Sequence, residues 1–415
     1  MLRSGDWLTR QRIRLWAAAV LVASAFGLGF ILVTANGLND FRGEPLGTDF
    51  SNVYAAGTYV LEGKAPLAFD WPAQHARERQ IFGDKTPFFG WHYPPYFLFV
   101  AGALATMPYK LSLAIWQGVT LLLYLLMIRA ILSASRQHEG REALHDKMWL
   151  LVALAFPAVL VNIGHGHNGF LTAALFGTAL VTLDRRPGLA GILFGLIAYK
   201  PQFGMLIPLV LIATWRWRAF VAATATVVVL NVATLVAFGP DVWHAFLAST
   251  KLTRVEVLEQ GGTGWHKIQS VFATVRMWGG SVPLAYLAQG VVTASLAAVL
   301  IWLWRSAAAF PLKAAALTVA AILATPYSLD YDLVVLAPAI AFLAADGLRR
   351  GFAPWEKTAL ALLWLTPLIA RSIAEHTLIP LGVPAMLLVF TLVLRRAASD
   401  LGHLPGWQSA AQPIK

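Results

Sequence analysis

The stretch GTDFSNVYAAGTYVLEGKAP carries one acid near its start, Asp49. A helix-compatible run from Phe50 to Leu61 follows it. A carboxylate there can cap the helix at its positive end, or it can take a proton from a reacting group. NIGHGHNG sets His165 and His167 two apart, with Asn162 and Asn168 beside them. Two histidines suggest a metal, but zinc wants three or four ligands and no nearby spacing completes a set. The other reading is a polar helix end lining an aqueous cavity, bonding substrate hydroxyls or capping helices. Lys200 in LIAYKPQ and Arg371 in LIARSIAEH stand at the outer ends of apolar runs, and Lys267 in GGTGWHKIQ lies in a Gly-rich outer loop. Each can snorkel or face a cavity and pair with an anion. His266 precedes Lys267, and Gln202 follows Lys200 by two. Asp330 and Asp332 in TPYSLDYD can bind a metal, contact a substrate hydroxyl, or pair with Lys200 or Arg371. In FFGWHYPPYFLF, the aromatics Trp91, Tyr93 and Tyr96 suit an interfacial belt. They also suit a platform for a sugar or lipid head group, with His92 as a hydrogen-bonding group.

Several chemistries are absent. The chain has no cysteine, so disulfides, thiolate catalysis and Cys-based metal sites are excluded. No phosphate-binding P-loop, dinucleotide fingerprint or GxSxG nucleophile elbow occurs.

The elements that must position these groups are membrane helices. Of 415 residues, 58% are hydrophobic and 13% charged, against about 25% charged in soluble domains. Twelve long apolar runs predict an all-α polytopic membrane protein. They lie near 15–35, 111–132, 148–163, 169–183, 188–199, 203–214, 219–238, 285–304, 314–325, 332–345, 357–371 and 378–394. The first reads as an uncleaved span, being too long for a signal peptide and lacking a close small-residue cleavage site. Pro94 to Pro108 is apolar but short and bracketed by prolines, so it reads as an interfacial or re-entrant helix. Leaving it out of the count puts 20 of the 32 Lys and Arg on one side, including Arg136, Arg141 and Lys415. That bias sets twelve spans with both termini in the cytoplasm. The net charge of +11 then belongs to cytoplasmic loops rather than to nucleic-acid binding.

The opposite face holds two long connections, about 36–109 and 239–283, and nearly every candidate for chemistry. Residues 1–398 read as one integral membrane domain. Residues 399–415 read as a disordered cytoplasmic tail. A carboxylate, several cations and interfacial aromatics on one face fit glycosyl transfer from a lipid-phosphate donor. That reaction needs a base for the acceptor hydroxyl and cations for the departing phosphate. A transporter or flippase of lipid-linked sugars is the alternative. It would want midplane polar groups and repeat symmetry, and here the polar groups gather at one face. A non-catalytic envelope-assembly scaffold is a third reading.

Five blocks carry a resemblance: GTDFSNVYAAGTYVLEGKAP, HYPPYFLFVAGALATMPYKLSLAIWQ, GHGHNGFLTAALFGTAL, GLAGILFGLIAYKPQFGMLIPLVLI and ATPYSLDYDLVVLAP. Together they resemble glycosyltransferase family 87 over about residues 10–395. That family belongs to the GT-C superfamily and includes polyprenol-phosphate-mannose-dependent α-mannosyltransferases. The resemblance implies a GT-C fold in a bacterial inner membrane, a polyprenyl-phosphate sugar donor, and inverting transfer to a lipid-linked or glycan acceptor of the envelope. It places the reaction on the extracytoplasmic face and the family's essential acid on Asp49. The expected donor-phosphate groups are Lys200, Lys267, Arg371 and His266. The expected substrate contacts are His92, Tyr93, Asn162, His165, His167, Asn168, Gln202, Asp330 and Tyr331. No metal or other cofactor is expected, because fixed cations can hold a monophosphate. Two departures stand out. Many relatives read SPxSWxH where this chain reads TPYSLDYD, putting Tyr331 in the histidine's place. Most have Gln where this chain has His165 or His167.

Overall fold

The computed structural model describes residues 1–134 and 147–402. Arg136, Arg141 and the tail from 403 to 415 lie outside the described residues. Within them the elements are helical, and no β-strand occurs beyond three isolated bridges.

Helix α1 (Arg10–Val33) starts where the Thr9 side chain accepts from the Arg12 amide. Its 24 residues reach about 36 Å at 1.5 Å per residue, enough for a hydrocarbon core of about 30 Å. Only 6% of its apolar window is buried, so most of its surface is left for lipid. The first long loop then builds α2 (Thr48–Leu61), a 3-10 turn Ala65–Phe69, α3 (Trp71–Phe82) and α4 (Leu98–Ala105). Asp70 caps α3 by accepting from the Ala73 amide at 2.9 Å. The short Pro-bracketed segment is a helix, as its length suggested, and it packs along α2.

Helix α5 (Tyr109–Ala134) is a full-length span. α6 (Met148–Leu154) and α7 (Pro157–His165) follow, bent by 48° at their junction. Pro157 sits there, and its missing N–H and ring clash prevent a straight continuation. Next come α8 (Gly169–Thr182), α9 (Pro187–Leu196), α10 (Pro201–Gly204) and α11 (Leu206–Ala213). Lys200 stands at the break between α9 and α10 with φ −127° and ψ 72°, outside the helical region that a following proline disfavours. The next span is α12 (Trp217–Phe238). The second long loop holds α13 (Asp241–Leu252), a π turn Thr253–Glu259, a 3-10 turn Trp265–Lys267 and α14 (Val271–Met277). The chain ends with α15 (Val282–Arg305), α16 (Phe310–Leu323), a 3-10 stretch Asp330–Leu336 running into α17 (Ala337–Arg350), α18 (Glu356–Thr377) and α19 (Gly382–Asp400).

Among the described residues seven helical segments are long and apolar enough to cross a bilayer, or eight if α6 and α7 form one bent span. The remaining four of the twelve apolar runs are helical but shorter than a bilayer requires. Length and composition therefore account for seven or eight of the expected spans. Of the short helices, α8 and α16 are the most enclosed. In α16, all but three residues are buried, and its alanines admit α15, α17 and α19 closely. The tail boundary also differs from expectation. Asp400 ends α19 and pairs with Arg350 at 2.7 Å.

At the end of the bundle away from the two long loops, a charged network ties three helices. Asp346 of α17 is 1% exposed and bonds Arg350 at 2.6 Å and Arg396 of α19 at 3.2 Å. Arg396 also binds Glu356 of α18. Removing Asp346 takes the carboxylate that Arg350 and Arg396 share, leaving Arg396 only Glu356 and Arg350 only Asp400, and unbalances a buried network. Asp346→Ala is therefore expected to lower the thermal unfolding midpoint in detergent markedly, whereas Asp184→Ala, at an exposed Arg216 pair, changes it little.

Candidate active site

Asp49 is the second residue of α2. It does not cap the helix. The N-cap is Gly47, with φ +66° and no side-chain cap bond. The Asp49 side chain keeps 19% of its surface exposed, yet its Oδ2 is buried with no hydrogen-bond partner. His165 Nδ1 lies 3.9 Å from that oxygen and 2.8 Å from Thr48 Oγ1. Burial pushes the Asp49 carboxyl above its ordinary range, and the nearby Asp330 and Asp332 charges add to this. His165 and Lys200 pull the other way. The helix start favours the ionised form, but desolvation outweighs it.

A close approach of two backbones sets this geometry. Gly166 closes α7 with φ +62°. A Cβ there would stand 2.7 Å from Phe50 Cβ and 3.1 Å from the Gly47 carbonyl oxygen. Only glycine lets the α7–α8 joint meet the first turn of α2. The joint is stitched from within. Asn162 Nδ2 donates to the His167 carbonyl at 3.0 Å, and Asn162 Oδ1 accepts from the Gly169 amide at 2.9 Å. Gln117 of α5 donates to the same carbonyl at 3.1 Å.

Tyr331 lies at the centre of the polar groups. His167 stacks on it with centroids 3.7 Å apart, and His165 meets its edge at 5.5 Å. Lys200 Nζ is 5.7 Å from its ring. The Tyr93 hydroxyl and His167 Nε2 are 3.2 Å apart. Lys200 donates to Asp332 Oδ1 at 2.6 Å, and both side chains are buried. Arg371 of α18 faces Asp330 Oδ2 at 3.5 Å with 41% of its side chain exposed. Both acids thus take the pairing that sequence left open. His167 Nδ1 and both amide atoms of Asn168 are buried without partners.

The second long loop docks on the same segment. Gln269 N donates to the Ser328 carbonyl at 2.7 Å and Ser270 Oγ to Pro326 O at 2.8 Å. This sets His266 and Lys267 near Arg371. Burial lowers the His266 pKa, Glu375 opposes it, and Lys267 and Arg371 lower it further.

The expected residues do not all converge. Asp49, His165, His167, Tyr93, Tyr331, Lys200 and Asp332 form one linked group. Asp330, Arg371, His266 and Lys267 adjoin it. His92 turns to the second loop instead, with Nδ1 3.0 Å from Thr253 Oγ1, and burial holds its pKa down at about 4. Asn162 spends its amide on the joint. Gln202 lies half-buried on α10. Three residues escaped the sequence reading: Thr48, Gln117, and Tyr199, whose hydroxyl meets Thr172 Oγ1 at 2.5 Å and Asn168 O at 3.1 Å. Gln117 left a signal, as a polar residue inside an apolar run. Among the described residues no three of His, Asp and Glu group so as to hold a metal ion.

A family model described as glycosyltransferase family 87 matches residues 91–326, more than half of the chain. The match includes His92, Tyr93, the two-histidine joint, Lys200 and Lys267. Asp49, Asp330, Tyr331 and Arg371 lie outside it. No curated protein and no solved structure matches the chain.

Gly166→Ala should strain a left-handed residue by about 1–2 kcal/mol and push α2 off the joint. Gly164→Ala, two residues earlier with open space around it, should be neutral or slightly stabilising. Thermal unfolding of the two variants in detergent compares them; equal midpoints would remove the close approach as a constraint.

Proposed function

The chain belongs to glycosyltransferase family 87, and we propose from that premise that it moves a hexose such as mannose from a polyprenyl-phosphate donor to an envelope lipid or glycan. It is a multi-pass membrane glycosyltransferase. The basic clusters on one side support a reaction on the extracytoplasmic face of a bacterial inner membrane, with both termini in the cytoplasm. The observation that carries the mechanism is the buried, unpartnered Asp49 Oδ2 beside His165. A buried acceptor without a donor is costly in a resting protein. It is suited to receive a hydroxyl proton when an acceptor binds.

In the proposed step the acceptor oxygen attacks the anomeric carbon from the face opposite the phosphate. The carbon–oxygen bond to phosphate breaks, and its electron pair leaves with the polyprenyl phosphate. The acceptor proton goes to Asp49, and the configuration at carbon inverts. A raised carboxyl pKa favours this transfer, since a stronger base takes the proton earlier. Arg371, Lys267 and His266 supply positive charge for the phosphate. Lys200 is already bound to Asp332, so its contribution to the phosphate is screened. His167, Asn168 and Tyr93 offer hydrogen bonds to sugar hydroxyls. This chemistry needs no metal.

The test uses purified protein, radiolabelled polyprenyl-phosphate hexoses and a lipid extract, with EDTA present throughout. Asp49→Asn should fold and insert normally but lose transfer by about 10²–10⁴-fold, the usual share of a general base. Turnover near the parent rate in that variant would sink the assignment. For the phosphate, Arg371→Gln and Lys267→Gln should each raise the donor KM by about tenfold or more, as expected for one charge-assisted bond of about 1.5–3 kcal/mol. Unchanged donor KM in both would move the phosphate elsewhere.

A further inference from the structure

Two short motifs, DRRPG (Asp184–Gly188) and TWRWR (Thr214–Arg218), take no part in the transfer step. They lead into α9 and α12. An added Cβ at Gly191 would lie 2.3 Å from the Ala219 carbonyl oxygen, and one at Gly195 would lie 2.7 Å from that of Ala223. The two helices therefore run parallel in close contact and begin at the same end. Lys200 follows the far end of α9, so both starts lie at the end of the bundle away from the candidate active site. Between them is an open groove of about 710 Å³, lined by Pro187, Gly188, Trp217, Arg218, Val221 and Ala222.

Charge and polarity are graded along this groove. Asp184 is spent on Arg216 at 2.6 Å, and the Arg216 guanidinium also lies over the Trp304 ring at 5.9 Å. Arg185, Arg186 and Arg218 are exposed and have no ion pair among the described residues. On α12, Arg218 and Ala222 are four residues apart, as are Trp217 and Val221, so the lining residues share one face. That face is basic and aromatic at its start and apolar one turn deeper. Gly188 leaves the opposite wall open, with nothing within 4 Å of an added Cβ. Only 11% of the apolar window of α12 is buried, so the groove adjoins surface left for lipid. Trp215 marks its level. The Trp215 amide donates to Ile212 O at 3.0 Å and the Arg216 amide to Leu211 O at 2.9 Å. This turn closes α11 with Trp215 at φ +57°, in the place that glycine usually takes. The left-handed turn strains a residue with a side chain. It holds the indole 75% exposed and edge-on to Trp217 at 5.8 Å. Tryptophans so displayed collect at head-group level.

We propose that this groove binds an anionic phospholipid, with the head-group phosphate on Arg218 and an acyl chain along Val221 and Ala222. The charges of Arg185 and Arg186 in the adjoining loop favour the same head group. Basic pockets between membrane helices hold anionic head groups in this way. A zwitterionic lipid brings a cation of its own, which three unpaired arginines repel. Free phosphate would satisfy the arginines but leave the apolar turn of the groove unfilled. A ligand with an anionic head and an apolar tail matches both parts. The groove is separate from the transfer chemistry, and its occupant does not depend on Asp49 acting as a base.

The test titrates phosphatidylglycerol into the delipidated full-length protein in a neutral detergent and counts bound lipid by native mass spectrometry. Phosphatidylglycerol should bind at least tenfold more tightly than phosphatidylcholine, and inorganic phosphate at the same concentration should not displace it. Arg218→Gln should weaken phosphatidylglycerol binding about tenfold, as for one charge-assisted bond. Gly188→Leu fills the groove without changing charge, at a helix position with room for a side chain, and should weaken binding as much. Arg129→Gln removes an exposed charge from α5, outside the groove, and should leave binding unchanged. Both groove variants change exposed positions, and unfolding midpoints within a degree or two of the parent's show that they are folded. Equal binding of the two lipids overturns the proposal, as does displacement by phosphate, which would make the ligand a free anion. Parent-like binding by Gly188→Leu, or the same loss in Arg129→Gln as in Arg218→Gln, also overturns it, since either would leave only a general attraction of basic loops for anionic lipid.

Discussion

Lys200 and Asp332 face each other at 2.6 Å with 5% and 2% of their side-chain surface exposed. Neither charge would be tolerated alone at that depth among apolar helices. The two residues come from places where helices are broken. Lys200 sits between α9 and α10, and Asp332 sits in the 3-10 stretch before α17. Asp332 also accepts from the Leu329 amide at 3.0 Å. The pair therefore joins two irregular backbone segments that a bilayer would otherwise exclude. Tyr331, next to Asp332, is held under His167 by the same arrangement. The histidine joint in turn meets α2 at Gly47 and Gly166. Asp49 is the last member of that series of contacts.

The pair also decides how charge is shared. A lysine bonded to a carboxylate is a weaker ligand for phosphate than a free one, since an incoming anion must compete with Asp332. The exposed cation is Arg371, and its partner Asp330 lies at the looser distance of 3.5 Å. With 41% of the Arg371 side chain exposed, that contact is the more open of the two. Lys267 and His266 reach the same edge on a loop pinned to Ser328 and Pro326. The inner cation thus sets the architecture, and the outer ones remain open to a ligand.

Much of this could be read in sequence. Each of the twelve apolar runs falls on a helix or a broken pair of helices, and the short Pro-bracketed helix and the pairing option for Asp330 and Asp332 were legible too. Asp49 could be singled out as the acid at a helix start. What sequence could not supply was the neighbour on the other side of each group. Asn162 reads as a substrate ligand until both its amide atoms are seen spent on the α7–α8 joint. His92 reads as part of the site until Thr253 appears against it. Glu78 stands in the charge-rich run HARERQ, and only the structure shows it fully buried. Periodicity shows that Gln74 and Glu78 share a face, but not that this face turns inward. The span count suffers from the same limit. A helix of 14 residues such as α16 is ambiguous by length, and only its enclosure shows that it belongs to the core.

The two carboxyls of the first loop show why burial, rather than local helix electrostatics, governs the site. Asp49 lies in the first turn of α2, where the helix dipole lowers a carboxyl pKa by an amount worth about 0.3–1 kcal/mol. Removing an ionised oxygen from water without a compensating bond costs more than that. The net shift is therefore upward. Glu78 is in the deeper position and accepts from only one backbone amide at bonding distance, from Phe89, so its shift is also upward. Two such groups within electrostatic reach resist ionising together.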